Sequence, residues 1–193
     1  MRKERIFARQ RSKYRPATTD SGHGGPIAPN RLRHLRVRCP DQVWATDATC
    51  ILTSQGWLYL VAVIDLFTRR VIGWSMHRIL DASLVIAALR MALARRRPFK
   101  PLIIHSDRGA QFASAAYRHV LDQHGLLASM ARKGNCYDNA FIESFWSSLH
   151  HCFRTLAEAR TAVFDYIETF YNRTRLHSSL AYQSPITFES KLN

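Results

Sequence analysis

Three strand-length apolar runs follow one another between Val43 and Met76, and they limit the folds open to this chain. Val43 to Leu52, Trp57 to Leu66 and Arg70 to Met76 are rich in β-branched and aromatic residues, which favour a pleated, half-buried backbone. Ser54, Gln55 and Gly56 make a turn between the first two, and links this short imply antiparallel neighbours. After Met76 the period changes. Asp81 to Arg96 places Leu84, Ile86, Ala87, Leu89, Met91 and Leu93 at helical spacing. Pro98 and Pro101 bracket a loop before a short fourth strand, Leu102 to His105. Ala113 to His124 reads as a helix stopped by Gly125, and Leu126 to Met130 as a fifth strand. Further helices follow, from about Asn139 to Cys152 and from Thr155 to Tyr171. The order βββαβαβα predicts an α/β fold, a five-stranded mixed sheet flanked by helices on both faces.

The helix after the fifth strand carries the most chemistry. It opens at KGNCYDN, where Asp138 or Asn139 can cap it. At about 100° per residue, Ile142, Phe145, Trp146, Leu149 and Phe153 share a face to bury, and Glu143, Ser147 and His150 flank it. On this helix alone Glu143 reads more simply as a first-turn acid that complements the helix dipole.

Net charge narrows the partners. The 193 residues hold 28 Lys and Arg against 14 Asp and Glu, a formal charge of +14, and the pI is about 10.4. Such a balance points to a polyanion, most simply nucleic acid. No amphipathic basic helix suggests a membrane surface, and the longest apolar run, Trp57 to Ile64, is too short to span a bilayer. With no apolar stretch behind the basic first residues, a cytosolic location is expected. The four cysteines form no CxxC pair, so reduced thiols are expected rather than a zinc site. Residues 1–36 read as a basic arm or linker with little that can pack, and 37–193 as the folded domain. Within that domain the core spans about 41–153, and 154–193 is a helical, basic extension.

Three acids fall in informative places. Asp47 lies mid-strand in WATDAT, where it is either an outward residue on a half-solvated strand or part of a site. Asp107 follows the buried strand in HSDRG, as a turn-forming residue or at the strand end where α/β sites gather. Glu143 is the third. Adjacent central strands can set Asp47 beside Asp107, and a helix packed on the sheet can add Glu143. Clustered carboxylates repel each other unless cations bridge them, and hard oxygen ligands suit Mg²⁺ or Mn²⁺.

With these residues in view, WATDAT, GWLYLVAVIDLFTRRVIGWSM, HSDRGAQF, GNCYDNAFIESFW and YNRTRLHSSLAYQSP resemble the catalytic domain of bacterial insertion-sequence transposases of the Asp-Asp-Glu type. Those enzymes belong to the retroviral-integrase superfamily, and the resemblance covers roughly residues 14 to 193. The 35 residues between Asp107 and Glu143 match that family's spacing. The resemblance implies a ribonuclease-H-like fold and two Mg²⁺ or Mn²⁺ ions held by Asp47, Asp107 and Glu143. It also implies cleavage and transfer of DNA strands at element ends and target, by a homo-oligomer on DNA.

Lys133 would hold a phosphate, while Arg108 would touch DNA or brace its loop. Asn139 would cap the helix or touch DNA, and Arg173 and Arg175 would clamp the backbone. His150 stands where relatives commonly carry Lys or Arg. The resemblance also implies an upstream reading frame as a source of a helix-turn-helix. The rival readings are a truncated remnant that only binds DNA or interferes with the full-length enzyme, and a nuclease of the same fold.

Overall fold

The computed structural model describes residues 18, 19, 22–98, 101–131, 145 and 153–192. Three antiparallel strands come first: β1 (Val43–Thr53), β2 (Gly56–Asp65) and β3 (Val71–His77). Helix α1 (Ala82–Arg96) leads to β4 (Ile103–Ser106), two short helices α2 (Ala110–Ala113) and α3 (Ala115–Gln123), and β5 (Leu127–Met130). The sheet order is β3-β2-β1-β4-β5, with β4 parallel to β1 and β5 parallel to β4. This is the five-stranded mixed sheet that the strand spacing predicts.

The period-two alternation along β1 sorts its side chains between two cores. Trp44 and Ala48 join Val61, Val63 and the apolar faces of α1 and α3 on one side. Ile51 lies on the other, with Leu58, Leu60, Ala62 and Ile64 of β2. That second face is covered by α4 (Leu156–Asp165) and by the π-helical turns Tyr166–Tyr171 that continue it. Phe145 and Phe153 belong to this second core. Helices therefore cover both faces.

Helix α1 differs from its sequence pattern in one respect. Leu84, Val85, Ala88, Leu89 and Ala92 are buried, whereas Ala87 is exposed and Met91 half-buried. The reason is close approach of the helix to β3. A Cβ built on Gly73 would meet the Ala88 carbonyl oxygen at 2.3 Å and the Ala92 nitrogen at 2.7 Å. Two alanines and a glycine let the backbones approach, and longer side chains turn aside. Gly73→Ala is expected to lower unfolding stability by about 1–3 kcal/mol, since neither obstacle is a movable side-chain end. A downshifted urea midpoint at unchanged slope checks this.

Two predicted helices are also modified. The stretch from Ala113 to His124 starts its main helix only at Ala115, because Ser114 is extended (ψ 147°) and its hydroxyl caps α3 by accepting the Tyr117 N–H at 3.2 Å. The helix expected to reach Tyr171 leaves α geometry after Asp165, and Asn172 N–H bonds to the Ile167 carbonyl at 3.1 Å, five residues back. Of the tryptophans read as core, Trp44 is fully buried while Trp57 and Trp74 are half-exposed. Trp74 donates its indole N–H to Glu168 at 2.9 Å.

The basic extension is packed rather than loose. Asn172 is buried, and its amide accepts the Val71 N–H at 2.9 Å and donates to the Val71 carbonyl at 3.0 Å. One side chain thus extends the hydrogen bonding of edge strand β3 and closes it to further pairing there. Helix α5 (Pro185–Glu189) adds Glu189, which pairs with both Arg70 and Arg96. The first residues described also pack, contrary to the expectation of a bare arm. Leu32, Leu35 and Val37 lie against Val43, Ala45 and Leu66. Among the described residues no helix is long and apolar enough to cross a membrane.

Candidate active site

The strand pairing decides where two of the three acids stand. Parallel β1 and β4 pair Val43 with Ile103, Trp44 with Ile104 and Ala45 with His105. That pairing ends two residues short of Asp47 and Asp107; the same register carried on would bring the two acids to about one strand spacing, about 4.8 Å. Asp47 points to the face of the second core, because its antiparallel partner is Ala62, a member of that core. Asp47 is 9% exposed.

Asp107 is half-buried just beyond the end of β4. Its Oδ1 accepts the Gly109 N–H at 2.9 Å and its Oδ2 accepts the Thr19 hydroxyl. Burial pushes this carboxyl above its ordinary pKa, and the Thr19 and Gly109 hydrogen bonds and the nearby His23 ring offset only part of that. No ion pair among the described residues involves Asp107. A carboxylate taken out of water is an environment that a divalent cation relieves, and its oxygens are the hard donors that Mg²⁺ and Mn²⁺ prefer.

Asp65 shows what a structural acid looks like in the same sheet. It is fully buried, and its carboxylate accepts main-chain N–H groups from Asp41 at 2.7 Å, Phe67 at 2.8 Å and Thr68 at 2.9 Å. Three backbone donors satisfy it and close the β2–β3 turn. Asp107 has one such donor, the Gly109 N–H.

Two models, each described as an integrase core domain, match residues 37–136 and 124–185. An insertion element IS600 uncharacterized 31 kDa protein of Shigella sonnei is 44% identical over 199 residues, 99% of this chain and 73% of the relative. The transposase InsF for insertion sequence IS3A of Escherichia coli K12 is 43% identical over 200 residues, 99% of this chain and 68% of the relative. The chain belongs to the insertion-sequence transposase family with an integrase core.

Solved structures show the same fold at low identity. The HTLV-2 integrase catalytic core domain in complex with magnesium superimposes with a TM-score of 0.55 at 17% identity, over 79% of this chain and 99% of that one. A chain of the simian T-cell lymphotropic virus intasome gives 0.62 at 16%, over 89% and 60% respectively. These are retroviral integrase cores, whose fold is ribonuclease-H-like, so the architecture of this transposase-family chain agrees with the strand order βββαβαβα.

The remaining candidates divide. Lys133, Asn139, Glu143 and His150 lie outside the described residues, as do Cys136 and Cys152. Arg108 braces its loop, donating from Nε to the Ala131 carbonyl at 2.9 Å. Arg173 is exposed and donates from Nε to the Glu168 carbonyl at 3.2 Å. Arg175 is engaged in an aromatic cluster, with its guanidinium 5.4 Å from the Tyr171 ring centroid and 3.0 Å from the Tyr166 hydroxyl. His177 stands edge-on to Tyr171, and burial, with the charges of Arg175 and Arg69, pushes its pKa down to about 4. This ring is therefore neutral at pH 7, and the YNRTRLH segment works first as a packing device.

His105 is fully buried, with Nδ1 2.9 Å from the Ser129 hydroxyl, the packed and hydrogen-bonded histidine that its position at a strand end suggests. Sequence reasoning passed over Thr19, His23 and Gln111, which meet at the Asp107 turn. Gln111 is buried and donates to the Thr18 carbonyl at 3.2 Å. Their only signal was polarity inside a segment rich in turn formers.

Proposed function

We propose that this chain is the catalytic domain of a DNA transposase that cleaves the ends of an insertion sequence and joins them to target DNA. The parallel pairing of β1 with β4, which carried on by two residues would bring Asp47 level with Asp107, is the observation that most supports this reading. The named transposase relatives support the substrate. In this reading Asp47, Asp107 and Glu143 hold two Mg²⁺ or Mn²⁺ ions. Phe145, two residues beyond Glu143, packs in the core on the face that carries Asp47, which supports Glu143 as the third ligand.

When bound, the ions supply activation of the attacking oxygen and neutralisation of the departing one. The protein's own part is placement. Two β-strands fix Asp47 and Asp107 against the sheet, and the Gly109 N–H fixes the rotation of the Asp107 carboxylate. Lys133, Asn139 and His150 serve as DNA contacts beside the acids, with Arg173 and the net charge of +14 drawing in the phosphate backbone. Arg108 acts on the loop it braces. The working form is a homo-oligomer on DNA in the nucleoid, with an upstream frame as a candidate source of a helix-turn-helix.

Labelled oligonucleotides carrying the element's terminal repeats test the reading. Nicking and joined products are expected with Mg²⁺ or Mn²⁺ and none with a chelator, while metal-independent products would refute it. His150→Lys is expected to tighten DNA binding and to steepen its logarithmic salt dependence by about 0.9, one further phosphate contact. An affinity unchanged across a salt series would remove His150 from the interface.

A further inference from the structure

The segment before the first strand is fastened to the Asp107 turn at several points. Arg31 donates from its main chain to the Ser129 hydroxyl at 2.9 Å and from Nε to the Ala128 carbonyl at 3.2 Å, which fixes the segment along β5. Upstream, His23 reaches the turn itself, with Nε2 2.9 Å from the Arg108 carbonyl oxygen. The Gly25 N–H donates to His23 Nδ1 at 3.0 Å. Because Nδ1 accepts, the ring proton sits on Nε2, which donates to the Arg108 carbonyl. Gly25 permits this fit: a Cβ there would stand 2.9 Å from His23 Nδ1 and 3.1 Å from the Ala113 methyl.

The turn is therefore gripped on both sides. Arg108 is tied through its guanidinium to Ala131 at the end of β5 and through its carbonyl to His23. Between these ties lies the peptide that leads from Asp107 to Gly109, whose N–H sets the carboxylate. Without the His23 tie, one side of that peptide is free to rotate, and with it the Gly109 N–H and the direction of the Asp107 oxygens. Displacements of about 1 Å in reacting groups can cost up to about a hundredfold in rate, so a remote hydrogen bond of this kind matters to chemistry.

We propose that His23 is a positioning residue for Asp107: its imidazole holds the Arg108 carbonyl so that the Asp107 carboxylate stays aimed beside Asp47. The inference rests on the transposase reading for its consequence in catalysis and on the geometry alone for the positioning itself.

Amide exchange by NMR on the full chain separates the two. In His23→Ala the Gly109 N–H is expected to exchange about tenfold faster, while the amides of β1 and β2 keep their wild-type rates. His23→Gln, whose amide offers a donor in place of Nε2 and an acceptor in place of Nδ1, is expected to return Gly109 to within about twofold of wild type. Mn²⁺ affinity, read by electron paramagnetic resonance, should weaken about tenfold in the alanine variant and recover in the glutamine variant. Unchanged Gly109 exchange in His23→Ala, or no recovery in His23→Gln, would overturn the proposal. Wild-type protein that binds no Mn²⁺ would instead count against the transposase reading, and Gly109 exchange would still decide the role of His23.

Discussion

Asp107→Asn is expected to lower strand transfer by at least about a thousandfold in saturating Mn²⁺, equivalent to losing about 4 kcal/mol of transition-state stabilisation. The amide keeps the shape of the side chain and can still accept the Gly109 N–H, so the turn should survive. What is lost is the negative charge. Folding stability should hold or rise slightly, because burial already works against the charged form of this carboxyl. A variant with wild-type thermal unfolding and no joined product is the expected combination. Full activity in Asp107→Asn would remove Asp107 from the chemistry.

Phe145→Ala is expected to have the largest effect on stability, about 3–5 kcal/mol, as for other large-to-small aromatic changes in a core. Phe145 is 1% exposed, and its ring meets Tyr171 edge-on at 4.9 Å and Tyr166 at 5.7 Å. It joins the catalytic part of the chain to the extension that follows α4. Losing it should loosen the segment that carries Glu143 as well as the extension, so strand transfer should fall further than the fraction unfolded explains. Urea unfolding followed at Trp44 and Trp74, with activity measured below the transition, checks both parts. A shift under about 1 kcal/mol would mean that the two halves of this core are independently held, since ordinary surface changes fall in that range.

The strands were legible because each run pairs a β-rich composition with a short turn, and the alternation in β1 is real: Trp44 and Ala48 face one core and Ile51 the other. The parallel pairing of β1 with β4, which brings the strand of Asp47 next to the strand before Asp107, is legible only as a possibility, since it joins residues 60 apart in the chain. Helical spacing in α1 does not tell which apolar residues are buried: Ala87 is exposed and Met91 half-buried, because Gly73 lets the helix approach β3 through Ala88 and Ala92. The grip of His23 on Arg108 and of Asn172 on Val71 was invisible. Each spans 85 or more residues of sequence, and each is made by a polar side chain inside a segment whose composition suggests solvent.

Anomalous scattering from crystals grown with Mn²⁺ tests the central claim most directly. The expected result is a peak at coordinating distance, about 2 to 2.5 Å, from carboxylate oxygens of both Asp47 and Asp107. Mn²⁺ bound elsewhere on the protein, with no peak between these two carboxylates, would contradict it.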